Sequence, residues 1–455
     1  MTQDMNMENL LMDTIKWMKE QRTEQLEQML EELQPYDLAE LYQELPIKHR
    51  PKFITLLDVE MLTDLIQELD QKLQLEILHF LGIERSTPVL DLMENDDLAD
   101  LLNELTAEEM EQFLHSMKKE ESETVKHLMQ YEPETAGGIM TNRFVWIRHH
   151  YTVREAVDKL KAFAEFAENI YYLYVLDDQK KLVGVVSYRD LLLADMENRI
   201  EDIMFSRVIH VHVDMDQEDV ARTIERYDFI AVPVVDDEQK LVGIVTVDDV
   251  IDVIVNEATE DFQKLSATGS GRNSIDLQTE PSKAAGRRLP WLILLLFLGL
   301  LSGSVIAQFE DTLEKVVALT FFMPMIAGMT GNTGTQSLAI VVRGLASGQF
   351  DKSSFMKLVT RDLTVGLILG GVCGGLVAVI AYIWQGNLMF SLVVGLSLLL
   401  TLIIGTLAGT VIPILLHKLK IDPAIASGPL ITTLNDIFSL TVYFGLATLL
   451  IASLT

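Results

Sequence analysis

The chain has 455 residues, a formal net charge of −31 and a single cysteine, Cys373. At roughly 100–200 residues per domain, that length implies several domains. So acidic a chain excludes nucleic-acid binding, which needs basic surface, and one cysteine excludes an intrachain disulfide.

The charge is divided unevenly. Residues 1–282 hold 60 of the 67 acids and 26 of the 36 bases, a balance of −34, whereas residues 283–455 hold 7 acids and 10 bases, a balance of +3. Two environments are implied. The opening MTQDMNMENL has no basic start and no apolar core. No signal peptide is expected, and the first half is expected in the cytoplasm.

Residues 1–131 read as helices. DLAELYQEL at 37–45 resembles MLTDLIQEL at 61–69 and DLADLLNEL at 97–105. Apolar residues recur at three- and four-residue spacing within each copy, the pattern of an amphipathic helix. A recurring helical unit implies a small stacked superhelix, and Pro46 and Pro88 are expected to punctuate it.

Residues 132–249 contain a second repeat, with expected halves at 132–200 and 201–249. LVGVVS at 182–187 recurs as LVGIVT at 241–246; Asp177-Asp178 and Asp236-Asp237 precede the two copies, and Asp190 and Asp249 follow them. Each copy predicts strand, acidic turn, strand and helix. The run Val-Pro-Val-Val-Asp, then Leu-Val-Gly-Ile-Val-Thr, then Asp-Asp resembles the cystathionine-β-synthase (CBS) domain. Such domains occur in pairs and bind adenosine nucleotides or act as regulatory gates.

Residues 250–282 are expected to hold a connecting helix and a polar linker. The acids Asp248, Asp249, Asp252, Glu257, Glu260 and Asp261 accompany an apolar face of Val250, Ile251, Ile254 and Val255. SATGSGRNSIDLQTEPSK at 266–283 is the linker.

Residues 283–455 predict five membrane spans: 290–309, 316–342, 358–384, 388–416 and 424–454. Each can cross a hydrocarbon core, which takes about 20 helical residues. With the first half inside, the inner segments carry Arg287, Arg288, Arg343, Lys352, Lys357, Arg361, Lys418 and Lys420, and the outer ones carry only Lys315. This matches the positive-inside rule and puts the C-terminus outside. Glu310, Asp311 and Glu314 fall in the first outer loop, either as a solvated turn or as an acidic mouth that concentrates cations.

Two spans carry unusual chemistry. The second contains Gly328, Gly331 and Gly334 with Asn332, Thr333, Thr335 and Gln336. Glycines alone serve close helix packing. Interleaved with Asn and Gln at membrane depth, they favour the lining of a water-filled path. The fifth contains Asp436. A carboxylate at a helix centre costs at least ~2.5 kcal/mol on insertion scales, and no basic residue is expected in a span interior to pair with it. It either takes a cation or stays protonated.

The runs Gly-Asn-Thr-Gly-x-Gln at 331–336 and Asp-Pro-Ala-x-x-Ser-Gly-Pro at 422–429 resemble those of the MgtE family of Mg²⁺ transporters, as does ETAGGIMT at 134–141. The order of parts agrees along essentially the whole chain. The resemblance implies a multi-domain α+β membrane protein: a helical superhelix, an α/β CBS pair, a connecting plug helix and a five-helix transmembrane domain at 283–455. It implies a plasma-membrane homodimer with one pore lined by the second and fifth spans. Asp436 forms the ion site with Asn332, Gly328, Thr432, Gln336 and Gly428, the last through backbone alone. It also implies that cytoplasmic Mg²⁺ closes the pore through the plug. Expected regulatory ligands are Asp96, Asp97 and Asp100; Asp216, Glu218 and Asp228; and Asp249, Asp252, Glu257, Glu260 and Asp261. Tyr172, Arg189, Phe229 and Asp248 occupy positions at which the family's CBS pair holds ATP.

The ion suits the residues. Mg²⁺ takes oxygen ligands and keeps much of its water, and no cluster of softer ligands favours copper or zinc. Mn²⁺ and Co²⁺ are the alternative cargo. A CBS-gated anion channel would need basic pore residues. An enzyme would need a catalytic constellation, and the close histidines (His149, His150, His210 and His212) show no acid–base partner in the sequence, so no enzyme is expected.

Overall fold

The structure is a computed structural model that describes residues 7–450 apart from 165, 168, 268–279, 347–353 and 427. Most of the linker at 266–283, together with Lys352 and Ser427, lies outside the described residues. The chain divides into two compact units, Met1–Ile254 and Val255–Thr455.

The first unit opens with α1 (Met7–Glu20), α2 (Thr23–Glu31), α3 (Pro35–Glu44), α4 (Arg50–Leu56), α5 (Val59–Gln67), α6 (Gln71–Leu90), α7 (Asn95–Asn103), α8 (Ala107–Ser116) and α9 (Lys119–Leu128). The three sequence copies are α3, α5 and α7. Their matching positions are buried: Leu38, Leu41 and Tyr42; Leu62, Leu65 and Ile66; Leu98, Leu101 and Leu102. Helix starts follow local chemistry. Asp58 and Asp70 accept from the amides of Met61 at 2.8 Å and Leu73 at 2.9 Å, and Thr106 with Glu109 forms a capping box. Pro46 falls between α3 and α4, as predicted, but Pro88 lies inside α6. The break is at Gly82 instead, whose φ of 68° and ψ of 170° suit glycine.

Two three-stranded sheets follow. The first is β1 (Phe144–Arg148), β2 (Asn169–Leu176) and β3 (Leu182–Ser187), with α10 (Val153–Phe163), α11 (Tyr188–Leu193) and α12 (Ile200–Ile203). The second is β4 (Val211–His212), β5 (Ala231–Val235) and β6 (Leu241–Thr246), with α13 (Gln217–Tyr227) and then α14 (Val247–Leu265). In each sheet the first pair is parallel and the second antiparallel, so the strand–turn–strand–helix reading of both copies agrees with the structure.

The sheets exchange edges. Thr141 pairs with Ile244 of β6, and Phe205 pairs with Val185 of β3. A side chain at Gly243 would meet Met140 Sδ at 2.5 Å, and one at Gly184 would meet Met204 Sδ at 2.5 Å. The glycine of each Leu-Val-Gly run therefore makes room for a methionine from the segment leading into the other copy. Arg143 ties this junction to the helical region, donating to the carbonyl of Met93 at 2.6 Å.

The second unit holds the end of α14, then α15 (Pro281–Ala307), α16 (Glu310–Lys315), α17 (Leu319–Ala346), α18 (Ser354–Gln385), α19 (Leu388–Lys418), a 3₁₀ turn at Pro423–Ile425 and α20 (Gly428–Leu449). Among the described residues four helices are long and apolar enough to cross a membrane: α15, α18, α19 and α20. The five-span expectation needs correction on this point. α17 has the length, 28 residues, but its Gly, Thr, Asn and Gln residues keep it out of the apolar set. Arg361, assigned to an inner segment, lies about two turns from the start of α18, next to the acid Asp362.

Candidate functional site

The two helices with unusual chemistry, α17 and α20, pack side by side, and glycine makes this possible. A side chain at Gly331 would meet Thr432 Cγ2 at 2.7 Å, and one at Gly334 would meet Asn435 Nδ2 at 2.1 Å. These two glycines serve packing. Gly328 does not, because a side chain there would meet nothing within 4 Å.

The six expected site residues fall on two open faces. Gly328, Asn332 and Gln336 stand at four-residue steps on α17, as do Gly428, Thr432 and Asp436 on α20, the spacing of one helix face. Asn332 and Gln336 are exposed, and Gly428, Thr432 and Asp436 are half-buried. The Thr432 hydroxyl donates to the Gly428 carbonyl at 2.9 Å. Among the described residues no side chain pairs with the Asp436 carboxylate; the contact at this residue is Ser439 Oγ donating to its backbone carbonyl at 3.1 Å. The structure thus offers a carboxylate, a carboxamide pair and a hydroxyl along faces that the protomer itself leaves uncovered.

The end of α14 meets the start of α20. Leu265 packs with Leu338, Val342, Ala424, Ala426 and Ile431, and its carbonyl lies 3.4 Å from where a side chain at Gly428 would begin. Lys264 bridges this junction, pairing with Glu260 at 2.9 Å and Asp422 at 2.7 Å. Burial and then Asp422 push the Asp261 carboxyl up to about 6, against the pull of Lys264. Although partial burial lowers the Lys264 ammonium, its bonds to Asp422 and Glu260 hold it above its usual range.

A second group of carboxylates forms around the start of α14, in the first unit. Burial pushes Asp97 upward; Gln67 Nε2, donating at 3.1 Å, opposes this, and Asp252 and Asp248 add to it. Glu68 and Glu94 are also raised, chiefly by burial, with Asp97 and either Asp252 or Asp248 contributing. Asp249 is pushed up to about 7 by burial, although it accepts from the Thr246 hydroxyl and amide. Asp96 is buried and Asp100 half-buried on α7. Among the described residues no three His, Cys, Asp or Glu side chains converge closely enough to hold an ion by themselves.

Other expected residues have local roles. Asp216 caps α13 and accepts from the Glu218 amide at 2.9 Å, Glu218 pairs with Arg222 at 2.6 Å, and Asp228 ends α13 in the left-handed conformation. Of the four nucleotide candidates, Tyr172 lies in β2, Arg189 in α11, Phe229 just before β5 and Asp248 in α14. Tyr172 packs with Tyr174 and Leu241, whereas Phe229 stacks on Tyr227 and packs against the main core. Arg189 and Asp248 are exposed. His212 has acid partners after all, Asp237 at 3.1 Å and Asp214 at 3.5 Å. Asp214 stands two residues on in the sequence, whereas Asp237 is brought to His212 by the pairing of β4 with β5.

Comparison with known proteins decides the lineage. The MgtE divalent cation transporter model matches residues 323–446, the MgtE intracellular N domain model matches 33–134, and the CBS domain model matches 136–197 and 200–256. The magnesium transporter MgtE of Bacillus subtilis is 53% identical over 454 residues, covering 100% of both chains. The chain belongs to the MgtE family. The Thermus thermophilus magnesium transporter MgtE is 41% identical over 71% of each chain. Two solved structures resemble the first half. The soluble part of a magnesium transporter has a TM-score of 0.53 at 40% identity, covering 56% of this chain and 100% of that one. The cytosolic domain of the Mg²⁺ channel MgtE in complex with ATP has a TM-score of 0.51 at 39% identity, covering 53% and 99%.

Within this MgtE chain the sequence reading missed Glu68, Glu94, Lys264, Asp362 and Asn435. Glu68 and Glu94 each stand at a helix end among other acids, so nothing in the local pattern separates them from a solvated face. Asp362 did carry a signal, an acid within an apolar run, but the adjacent Arg361 marked the segment as a membrane border.

Proposed function

We propose that the chain conducts Mg²⁺ across the cell membrane, with the path between α17 and α20 of two protomers. The observation that carries this is the pair of open helix faces with an unpartnered Asp436 midway along α20, a helix long and apolar enough to cross a membrane. A homodimer would cover those faces and bring two Asp436 carboxylates to one path, where a largely hydrated cation supplies the missing countercharge. Asn332, Gln336, Thr432 and the backbone of Gly328 and Gly428 complete the lining. In this reading the first half is cytoplasmic, the C-terminus is outside, and the domains are 1–131, 132–200, 201–249, 250–282 and 283–455. Mn²⁺ and Co²⁺, hard enough for the same oxygens, are secondary cargo.

Cytoplasmic Mg²⁺ regulates the path. The raised carboxylates Glu68, Glu94, Asp97 and Asp249, and separately Asp261, repel neighbouring acids when ionised, and a bridging divalent ion relieves this. Ion binding favours the arrangement in which the end of α14 rests against the start of α20, a population shift driven by differential affinity. ATP is a further ligand of the CBS pair in this reading, at Tyr172, Arg189, Phe229 and Asp248.

The test is Mg²⁺ uptake into liposomes. Asp436→Ala and Asp436→Asn should abolish uptake while the protein remains folded and inserted. Undiminished uptake by Asp436→Ala removes the carboxylate from the ion path.

A further inference from the structure

Asp362 lies in α18, outside both helices of the ion path, yet it is 3% exposed. Its two oxygens are used separately. Oδ1 accepts from Arg361 Nε and Nη2 at 3.0 Å, and Oδ2 accepts from the hydroxyl of Thr410 in α19. Thr410 is fully buried, and its hydroxyl also reaches the Thr406 carbonyl at 3.0 Å. One turn along, a side chain at Gly366 would meet Thr406 Oγ1 at 2.5 Å, so α18 and α19 touch at successive turns. Burying a carboxylate costs free energy unless it is paired and hydrogen-bonded, and here Arg361 and Thr410 supply both.

The next residue carries the contact inward. A side chain at Gly409 would lie 2.1 Å from the Gly334 carbonyl oxygen, which means that the backbones of α19 and α17 touch there. Gly334 in turn abuts Asn435, which is fully buried and donates to the Thr330 carbonyl at 3.4 Å. Asn435 precedes Asp436 in α20. Four helices are therefore in contact in series, α18 to α19 through Asp362 and Thr410, α19 to α17 through Gly409 and Gly334, and α17 to α20 through Gly334 and Asn435.

We propose that Asp362 is a positioning residue for ion transport, holding α19 through Thr410 so that Gly409 sets the place of Gly334 and of the Asn435–Asp436 pair. The hydrogen bond limits rotation of α19 about its axis. Without it the helix turns, and the backbone contact passes the displacement to the residues that line the path. The inference rests on the transport reading above, and only its last link depends on Asp436.

Full-length wild-type protein and the variants Asp362→Asn, Asp362→Leu, Thr410→Ser and Thr410→Val are compared in liposomes. Mg²⁺ flux is measured against Mg²⁺ concentration and against competing Na⁺, and thermal unfolding of each protein is recorded. Asp362→Asn and Thr410→Ser keep an acceptor and a donor, so they should retain wild-type half-saturation and cation discrimination. Asp362→Leu and Thr410→Val should shift half-saturation or discrimination by about tenfold, the scale expected when ligating groups move by a fraction of an ångström. The double variant Asp362→Leu/Thr410→Val should be no worse than the poorer single one. Wild-type half-saturation and discrimination in folded Asp362→Leu, strictly additive effects, or equal damage from Asp362→Asn and Asp362→Leu each overturn the proposal. If wild-type protein carries no Mg²⁺, the transport reading fails instead, and non-additive unfolding temperatures still report the Asp362–Thr410 link. Thr410→Ser against Thr410→Val preserves the comparison should Asp362→Leu not fold.

Discussion

Alanine at the helix glycines tests the packing of the membrane unit with a built-in reference. Gly371 and Gly375 of α18 are exposed, and a side chain at either would meet nothing within 4 Å. Alanine there should be neutral or stabilising by about 0.5–1 kcal/mol, the helix-propensity difference. At Gly334 the new methyl lies 2.1 Å from Asn435 Nδ2, far inside the 3.4 Å at which such contacts become ordinary. The obstacle is a side-chain amide that can rotate, at the loss of its bond to Thr330, so a cost of about 1–3 kcal/mol follows. At Gly409 the obstacle, also at 2.1 Å, is the backbone oxygen of Gly334. No rotamer relieves it, and α17 and α19 must separate. The expected stability order is Gly371→Ala and Gly375→Ala above wild type, then Gly334→Ala, then Gly409→Ala. Thermal unfolding in detergent measures the order, and Mg²⁺ uptake shows whether the path is displaced. A Gly409→Ala protein as stable as Gly371→Ala, with full uptake, would refute the close approach of α17 and α19.

Other expectations follow from the charges. Asp249 and Asp261 have folded pKa values pushed up to about 7 and about 6, so their contribution to stability is present at low pH and is lost as pH rises toward those values. In Mg²⁺-free buffer, protease resistance of the cytoplasmic part should therefore fall between about pH 5.5 and 7, and Mg²⁺ should restore more of it at pH 7 than at pH 5.5. Lys264→Met removes the cation that Glu260 and Asp422 share; shutting off flux should then need more Mg²⁺, read as a rightward shift of the inhibition curve. Deleting residues 1–131, or neutralising Asp249, Asp252, Glu257 and Glu260 together, should leave uptake open at high internal Mg²⁺, and a deletion protein that still shuts off would place gating elsewhere.

Periodicity and repetition made most of the architecture readable. The matching Leu-rich runs became α3, α5 and α7 because three- and four-residue apolar spacing has one compact solution, a buried helix face. The Leu-Val-Gly copies became β3 and β6 because a short apolar, β-branched run after an acidic turn reads as a strand. The position of the helix break was not readable, because proline is tolerated near helix ends and Gly82 reveals itself only through its backbone angles. At the candidate site the polar residues were legible because Asn332, Gln336 and Asp436 conflict with their apolar surroundings. The division of labour among the glycines was not, since Gly328 and Gly334 differ only in what faces them. Long-range partners such as Thr410 for Asp362, or Lys264 for Asp422, follow from helix packing and leave no local trace.

The edge exchange between the two sheets bears on how the polypeptide matures. The strand pairing at Val185 stays incomplete until Phe205 has been made, and Thr141 waits for Ile244, about a hundred residues later in synthesis. Neither half can close as an autonomous body emerging from the ribosome, so a truncation between them should yield two sticky fragments rather than one good domain. The same interlock gives the finished protein a stiff linkage: the segment leaving the helical repeats is hydrogen-bonded to β6, and β6 runs into α14 without an intervening loop. A tilt of the helical repeats would therefore reach the root of α14 through hydrogen-bonded backbone rather than through a loop.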